Sequence, residues 1–220
     1  MYPDDYCSWT GKVFLFEGGQ GHYEREKHWH TSIEIFAVLK GRLTFFLNDE
    51  EYPLEAGELI IINSNEIHSI YAPEKNETVV LQIPLKQFEK YFTAQRFIRF
   101  TSAARLAKDK NTKAPDNRKL AFFIEELHKV YQAREEGWEY RTMALYYNVL
   151  YLMVKDYRLE QAAVELVRSR KPITEIAQRA GYDNASKFSE SFKKRYGKTP
   201  SRYRADKTNA VKRSIETKTE

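Results

Sequence analysis

The spacing of apolar residues along the chain changes near residue 84. Before it, short apolar runs, some of them alternating with polar positions, are separated by clusters of Gly, Pro, Asn and Asp. Closely spaced runs of this kind are typical of short antiparallel strands and predict a β-barrel or jelly roll. We place the strands at 13–16, 33–39, 43–47, 58–62, 68–71 and 79–83.

Beyond Pro84 the apolar residues recur every three or four positions, which predicts helices. A short helix is expected at 85–91, followed by an antiparallel pair of longer helices around 120–131 and 138–156. A further amphipathic helix at 158–170 follows. The predicted fold class is therefore an α+β multidomain protein, with an N-terminal antiparallel barrel, a helical segment and an all-α C-terminal region.

Residues 172–204 predict two short helices joined by a tight turn. Gly181 ends the first helix, because glycine readily adopts the left-handed conformation of a helix C-terminus. The second helix has an apolar stripe on one side, and its other side is polar at the start and cationic at the end. Such a helix suits contacts to base edges followed by contacts to phosphates, as in a helix-turn-helix, although a solvated helical hairpin has the same pattern. The stripe is Ala185, Phe188, Phe192 and Tyr196, and the opposite face is Ser186, Lys187, Glu190, Lys193 and Lys194.

The strings ITEIAQRAGY and KFSESFKKRYGKTPSRYR resemble the C-terminal signature of the AraC/XylS family of bacterial transcription regulators. The resemblance implies binding to double-stranded DNA, with phosphate contacts near Thr199 as well as along the second helix. Arg is frequent in relatives at the position of Glu190. The Glu190 carboxylate would instead accept a hydrogen bond from the amino group of cytosine, or it would only form an ion pair with Lys194 on the surface. The DNA-binding candidates are Ala185, Ser186, Lys187, Ser189, Glu190, Lys193, Lys194 and Thr199.

Members of this family normally carry two helix-turn-helix units joined by a long helix, which resembles 158–170. No counterpart of the first unit precedes that helix, so we expect a truncated DNA-binding region at 157–205. In the family, helices equivalent to those at 84–156 commonly make a dimer contact, which implies a homodimer. The alternative is that these helices only cover the barrel.

A second group of residues resembles the two motifs of the cupin barrel: His28, His30 and Glu34, and later His68. On one regular strand the first three would share a face, since strand side chains alternate. In metal-dependent cupins the matching residues hold a metal ion. Here Asn63 and Asn65 replace the usual Pro and Gly, a change common in the sensory domains of AraC-type regulators, where a metal is not generally part of the mechanism. Structural polar residues, direct effector contacts and a metal site all remain open, and we expect a small polar effector, such as a sugar or other metabolite, with no metal or cofactor.

Charge and composition agree with a nucleic-acid module attached to another domain. Residues 157–220 contain 16 Lys and Arg against 8 Asp and Glu, whereas the whole chain carries +5. The single cysteine excludes a disulfide framework. No apolar run approaches the roughly 18 to 20 residues of a membrane span, so we expect a cytoplasmic protein without membrane contact.

The sequence therefore predicts an effector-responsive transcription regulator that is not an enzyme. Its expected parts are a cupin-like sensor at 1–83, a helical dimerisation segment at 84–156, the helix-turn-helix region at 157–205 and a disordered tail at 206–220. One alternative is a metal-dependent cupin enzyme with a vestigial C-terminal segment. Another is a sensor or dimerisation subunit that no longer binds DNA.

Overall fold

The computed structural model describes residues 11–18, 23–91, 98–106 and 117–216. Eight strands come first, followed by a short 3-10 helix (Leu85–Tyr91) and six α-helices. The strands are β1 (Lys12–Gly18), β2 (Tyr23–His28), β3 (Ile33–Lys40), β4 (Arg42–Leu47), β5 (Glu50–Glu55), β6 (Leu59–Ile62), β7 (His68–Ala72) and β8 (Asn76–Ile83). The helices are α1 (Ala103–Leu106), α2 (Arg118–Ala133), α3 (Trp138–Arg168), α4 (Ile173–Arg179), α5 (Ala185–Tyr196) and α6 (Pro200–Glu216).

The strands form two four-stranded antiparallel sheets, which confirms the predicted cupin-like barrel. Their strand orders are β1-β8-β3-β6 and β2-β7-β4-β5. Apolar side chains from both sheets meet in one core, including Phe36 and Val80 from the first sheet and Phe45 and Ile70 from the second. Six of the eight strands were predicted. The prediction missed β2 and β5, which are rich in charged residues and have little of the apolar pattern.

Burial explains why the two sheets differ in sequence. In β4 and β5 buried and more exposed positions alternate, as expected of a sheet with one face toward solvent. In β3 and β6 nearly every position is buried, because α2 packs on β1, β3 and β8 and α1 packs on β6. Helix α2 therefore lies against the barrel, which is one of the two roles considered above for the helices that follow it.

Helix α3 differs from the prediction. It runs without a break for 31 residues, where we expected one helix to end near residue 156 and another to begin at 158. No glycine or proline interrupts this stretch, so nothing in the local sequence stops the helix. The chain divides into two compact units, and the boundary between Met153 and Val154 lies inside α3. The barrel and the helices up to Met153 therefore fall in one compact unit.

The second unit is a small helical domain built around α3, α4 and α5. The buried face of α3 contacts Ile176 and Ala177 of α4 and Phe188 and Phe192 of α5. The predicted stripe at 158–170 thus finds its partner in the helix-turn-helix itself, except for Val167, which is exposed.

The predicted disorder after residue 205 is wrong as far as Glu216, since α6 continues to that residue. Asp206 pairs with Lys198 at 2.6 Å and with Arg202 at 3.1 Å, one helical turn away. Residues 217–220 of the expected tail and 1–10 of the expected sensor lie outside the described residues. No helix in the described ranges is both long enough and apolar enough to cross a membrane.

Candidate functional site

The structure brings the four cupin-motif residues together at one end of the barrel interior. His28 ends β2, His30 lies in the turn that follows, Glu34 lies in β3 and His68 begins β7. His28, His30 and Glu34 do not share one regular strand, because residues 29–32 lie outside the sheet. The residues still converge because His28 pairs directly with His68 and Glu34 lies on the inward face of β3.

The geometry of this histidine site is compact. The ring centroids of His28 and His68 lie 4.2 Å apart, and those of His30 and His68 lie 5.1 Å apart. One nitrogen from each ring falls within 4.8 Å of the others. The Oε2 atom of Glu34 lies 2.9 Å from Nε2 of His30 and 3.5 Å from Nε2 of His68. Such separations suit ligands of a common ion.

Each histidine is held through its other nitrogen. Nδ1 of His28 bonds to the carbonyl of Glu26 at 3.0 Å, and Nδ1 of His68 bonds to that of Glu66 at 2.9 Å. Nδ1 of His30 lies 3.0 Å from the carbonyl of Ser32. Because a carbonyl only accepts, Nδ1 of His28 and Nδ1 of His68 carry the hydrogen, and in the neutral rings their Nε2 atoms are left with a lone pair. Nδ1 of His30 also lies 3.1 Å from the hydroxyl of Ser32, which can donate to it. This anchoring of one nitrogen is the usual support of a metal-binding histidine.

Four polar side-chain atoms therefore meet in a buried space. Nε2 of His28 and Nε2 of His68 are buried and have no hydrogen-bond donor among the described residues. Nε2 of His30 and Oε2 of Glu34 lie 2.9 Å apart and pair with each other when His30 is protonated. The other oxygen of Glu34 accepts from the side-chain amide of Gln82, a residue that sequence reasoning missed. Buried acceptors without donors are costly, so either a proton on His30 or a bound cation would stabilise this arrangement.

The electrostatics of the site favour an ionised Glu34 beside a protonated His30. Burial opposes ionisation of Glu34, but contacts with His30, His68 and Gln82 outweigh it and lower the pKa of the carboxyl well below its usual range. Contact with Glu34 raises the pKa of His30, whereas burial lowers the pKa of His28. A metal ion bound at Nε2 of His30 competes with the proton that Glu34 favours there.

The predicted recognition helix is α5, and its polar face is open. Asn184 caps it, since its side-chain oxygen accepts from the backbone N–H of Ser186 at 2.7 Å and of Lys187 at 3.4 Å. Gly197 ends the helix with φ of 75°. Five of the candidates on α5 are exposed, and Ala185 and Ser189 are half-buried. The exposed ones are Ser186, Lys187, Glu190, Lys193 and Lys194.

Two candidates have more specific surroundings. The Thr199 hydroxyl accepts from the backbone N–H of Arg202, so Thr199 caps α6 while remaining exposed. Glu190 forms no ion pair with Lys194 within the described chain. The alternative that Glu190 only pairs with Lys194 is not realised, and its carboxylate is available on the surface of α5.

Two arginines hold the helix-turn-helix in place, and the sequence analysis did not identify either role. Arg195 is buried in α5, where it donates to Asp156 at 2.9 Å and lies 3.5 Å from a Glu160 oxygen. Arg204 donates to the carbonyls of Leu166 at 3.1 Å and of Lys171 at 2.7 Å. A cation at the end of a helix stabilises its unpaired carbonyls, so Arg204 anchors α6 to the end of α3.

Comparison with known protein families assigns a domain to each unit. A model of the cupin domain matches residues 14–84, and a model of a helix-turn-helix domain matches residues 150–206. The comparison with curated proteins found no match.

Solved structures that resemble the chain include several cupins. A cupin superfamily protein from Desulfitobacterium hafniense is 12% identical, with a TM-score of 0.32, and the match covers 34% of this chain and 67% of that one. A protein of unknown function from Streptococcus pyogenes is 19% identical, with a TM-score of 0.32 and coverages of 34% and 64%. A predicted oxalate decarboxylase from Thermotoga maritima is 26% identical, with a TM-score of 0.31 and coverages of 33% and 65%. The chain thus spans about two-thirds of the length of each.

Proposed function

We propose a mechanism for this chain, which has the cupin domain and helix-turn-helix domain of an AraC/XylS-family DNA-binding transcription regulator. In this mechanism the barrel binds a divalent transition-metal ion through His28, His30, Glu34 and His68, and the bound ion controls sequence-specific DNA binding by α5. The single observation that carries the proposal is the meeting of three imidazole nitrogens and one carboxylate oxygen in one buried space.

The chemistry of the donors favours a transition metal over calcium or magnesium. Imidazole nitrogens suit zinc, iron, copper and nickel, whereas calcium and magnesium prefer sites made wholly of oxygen. The carboxylate of Glu34 adds one negative charge, and Gln82 holds its second oxygen away from the shared space. When bound, the ion supplies a positive charge that satisfies all four acceptors.

A small polar effector, which we expected from the sequence, is the alternative occupant of the barrel. Large apolar side chains from both sheets fill the interior next to the site, among them Phe36, Phe45 and Ile62. The gap between the four ligand atoms matches an ion, since they lie within a few ångströms of one another. The departure at Asn63 and Asn65, which argued against a metal, leaves the ligand geometry intact.

The proposed DNA contacts follow the polar face of α5. Its first turns carry short polar side chains, including Ser186 and Ser189, and Glu190 is the acidic residue of that face. Lys193 and Lys194 lie in the last turn, where they reach phosphate. One helix-turn-helix inserts one helix into the major groove, so we propose that two chains bind two half-sites together.

The decisive experiment compares DNA binding by metal-free and metal-loaded protein against a randomised duplex library at fixed salt. We expect the preferred sequence to be bound at least about fivefold more tightly in one of the two states. Equal DNA affinity in both states, with one ion bound per chain, would refute control by the metal and favour a metal-dependent enzyme. Absence of DNA binding in both states would favour the subunit that no longer binds DNA.

Replacement of Glu190 by Gln is expected to change which sequences the protein prefers, by about 1 to 3 kcal/mol at one base pair. Replacement of Lys194 by Ala is the matched control on the same helix. It should weaken binding to all sequences alike and lower the salt dependence by about one released counterion. Binding profiles over the same library decide the matter, and an unchanged preference in the Glu190 variant would remove that residue from base recognition.

The proposed homodimer uses an exposed aromatic stripe on α3. Tyr140 and Tyr147 are 78% and 54% exposed, and exposed Ala144 lies between them on the same face. Aromatic residues are enriched at protein interfaces, where one central side chain often contributes 2 kcal/mol or more.

We therefore expect the double replacement of Tyr140 and Tyr147 by Lys to convert a dimer into a monomer in sedimentation velocity. Phe122, which is 56% exposed on α2, provides the control: Phe122→Lys should leave the dimer intact. A double variant that sediments as the parent does would place the dimer contact elsewhere.

A further inference from the structure

One short turn of the first unit contacts the histidine site on one side and the segment after the barrel on the other. The turn is residues 63–66, between β6 and β7, and we call it the linking turn. The segment after the barrel is residues 98–106, which ends in α1, and we call it the exit segment. Asn63 and Glu66 of the turn are buried, as are His68 on one side and Phe100 on the other, which distinguishes the turn from an ordinary surface loop.

Toward the site, the linking turn bonds to two of the histidines through its backbone. The N–H of Asn65 donates to the carbonyl of His30 at 2.8 Å. The carbonyl of Glu66 accepts from Nδ1 of His68 at 2.9 Å. The orientation of the His68 ring and the position of His30 therefore both depend on this turn.

Toward the exit segment, the same turn bonds through its side chains. The N–H of Phe100 donates to Oδ1 of Asn63 at 2.6 Å, and Nδ2 of Asn63 donates to the carbonyl of Phe100 at 3.1 Å. The Glu66 carboxylate accepts from Arg105 at 2.6 and 2.9 Å and from Arg99 at 2.6 Å. Glu66 thus holds His68 with its backbone and Arg105 with its side chain.

Burial makes these contacts mutually dependent. Glu66 and Asn63 are only 4% and 3% exposed. Burial opposes ionisation of Glu66, yet Arg105 and the backbone of Asn63 outweigh it and lower the pKa of the carboxyl to about 2. A buried carboxylate cannot move away from its arginine without a large penalty, so the turn and the exit segment move together.

We propose that the linking turn transmits occupancy of the histidine site to the exit segment. This inference rests on the proposed function, because it takes a metal ion as the occupant. An ion bound by His30 and His68 restrains both residues, and their backbone bonds extend that restraint to Asn65 and Glu66. Asn63 and Glu66 then hold Phe100 and Arg105 more firmly, so the exit segment opens less often.

Hydrogen exchange of the full-length protein tests this proposal, with zinc as the probe. In the parent, zinc should slow amide exchange across 98–106 by about fivefold or more, including the N–H of Phe100. In the Arg105→Gln variant zinc should still bind, measured by calorimetry, but exchange across 98–106 should no longer respond. Arg42→Gln is the control, because Arg42 pairs only at the surface with Glu74, and it should respond as the parent does.

A second variant controls for destabilisation of the fold, because Arg105→Gln removes a charged partner of the buried Glu66 carboxylate. The double variant E66Q/R105M removes both charges and should behave as Arg105→Gln does. Equal zinc protection of 98–106 in the parent and both variants would overturn the transmission but leave metal binding intact. Zinc binding to the parent without protection of 98–106 would also overturn it. Failure of the parent to bind zinc would overturn the proposed metal response and this inference with it.

Discussion

Replacement of Phe192 by Ala is expected to unfold the helix-turn-helix and abolish DNA binding. Phe192 is fully buried, and its ring lies 4.5 Å from that of Tyr196 and 5.3 Å from that of Tyr203. Truncation of a buried phenylalanine costs about 3 to 5 kcal/mol, because the cavity that it leaves is filled only in part. A small helical unit with one narrow core has little stability in reserve.

Thermal unfolding followed by circular dichroism, together with DNA titration, measures this effect. The control is Phe122→Ala, since Phe122 has the same side chain at an exposed position of α2 and should cost little. A Phe192→Ala protein that melts at the parent temperature and binds DNA as tightly would show that α5 is not held by this core.

The helix-turn-helix could be predicted from sequence because its signals are local. Gly181 and Gly197 both adopt positive φ where the helices end, and Asn184 caps α5 as its position implies. The apolar spacing of three and four residues placed Phe188 and Phe192 on the buried face, where they lie. Such signals do not depend on what the rest of the chain does.

The ends of α3 and α6 could not be read in the same way. The resemblance of 158–170 to the family's joining helix suggested that a separate helix begins there, but a helix can bury one face in one unit and another face in the next without a break. In α6 a polar and aperiodic sequence suggested disorder, yet Thr199 caps the helix and Pro200 begins it. Caps and ion pairs maintain this helix where an apolar stripe is lacking.

The members of the histidine site could be predicted, but the way they are held could not. The spacing of His28, His30 and Glu34 predicted that these side chains would converge, and they do so even though they do not share one strand. The bonds from each Nδ1 to a carbonyl depend on the irregular backbone around residues 29–32 and 64–67. The role of Glu66 depends on Arg105, which is distant in sequence, and no local pattern signals such a pair.

Replacement of His68 by Ala is expected to weaken binding of a divalent transition metal by at least about 100-fold. His68 is fully buried at the centre of the site. Its Nε2 lies 3.5 Å from Oε2 of Glu34 and has no other partner among the described residues. Loss of a group that only supports a ligand typically costs 10- to 100-fold in affinity, so loss of the ligand itself should cost no less. Elemental analysis of gently purified protein and competition with a chelating dye give the stoichiometry and the affinity.

The matched control for this change is His128→Ala. His128 lies in α2, outside the cluster formed by the other three described histidines, so its removal should leave metal affinity unchanged. Both variants lose one imidazole, which separates the effect of the site from general binding of metal to histidine. If the parent carries one ion per chain and His68→Ala retains it with equal affinity, the ion is bound elsewhere. The four converging atoms would then have to be satisfied by the proton that Glu34 stabilises on His30, and the barrel would belong to a regulator that senses something other than a metal.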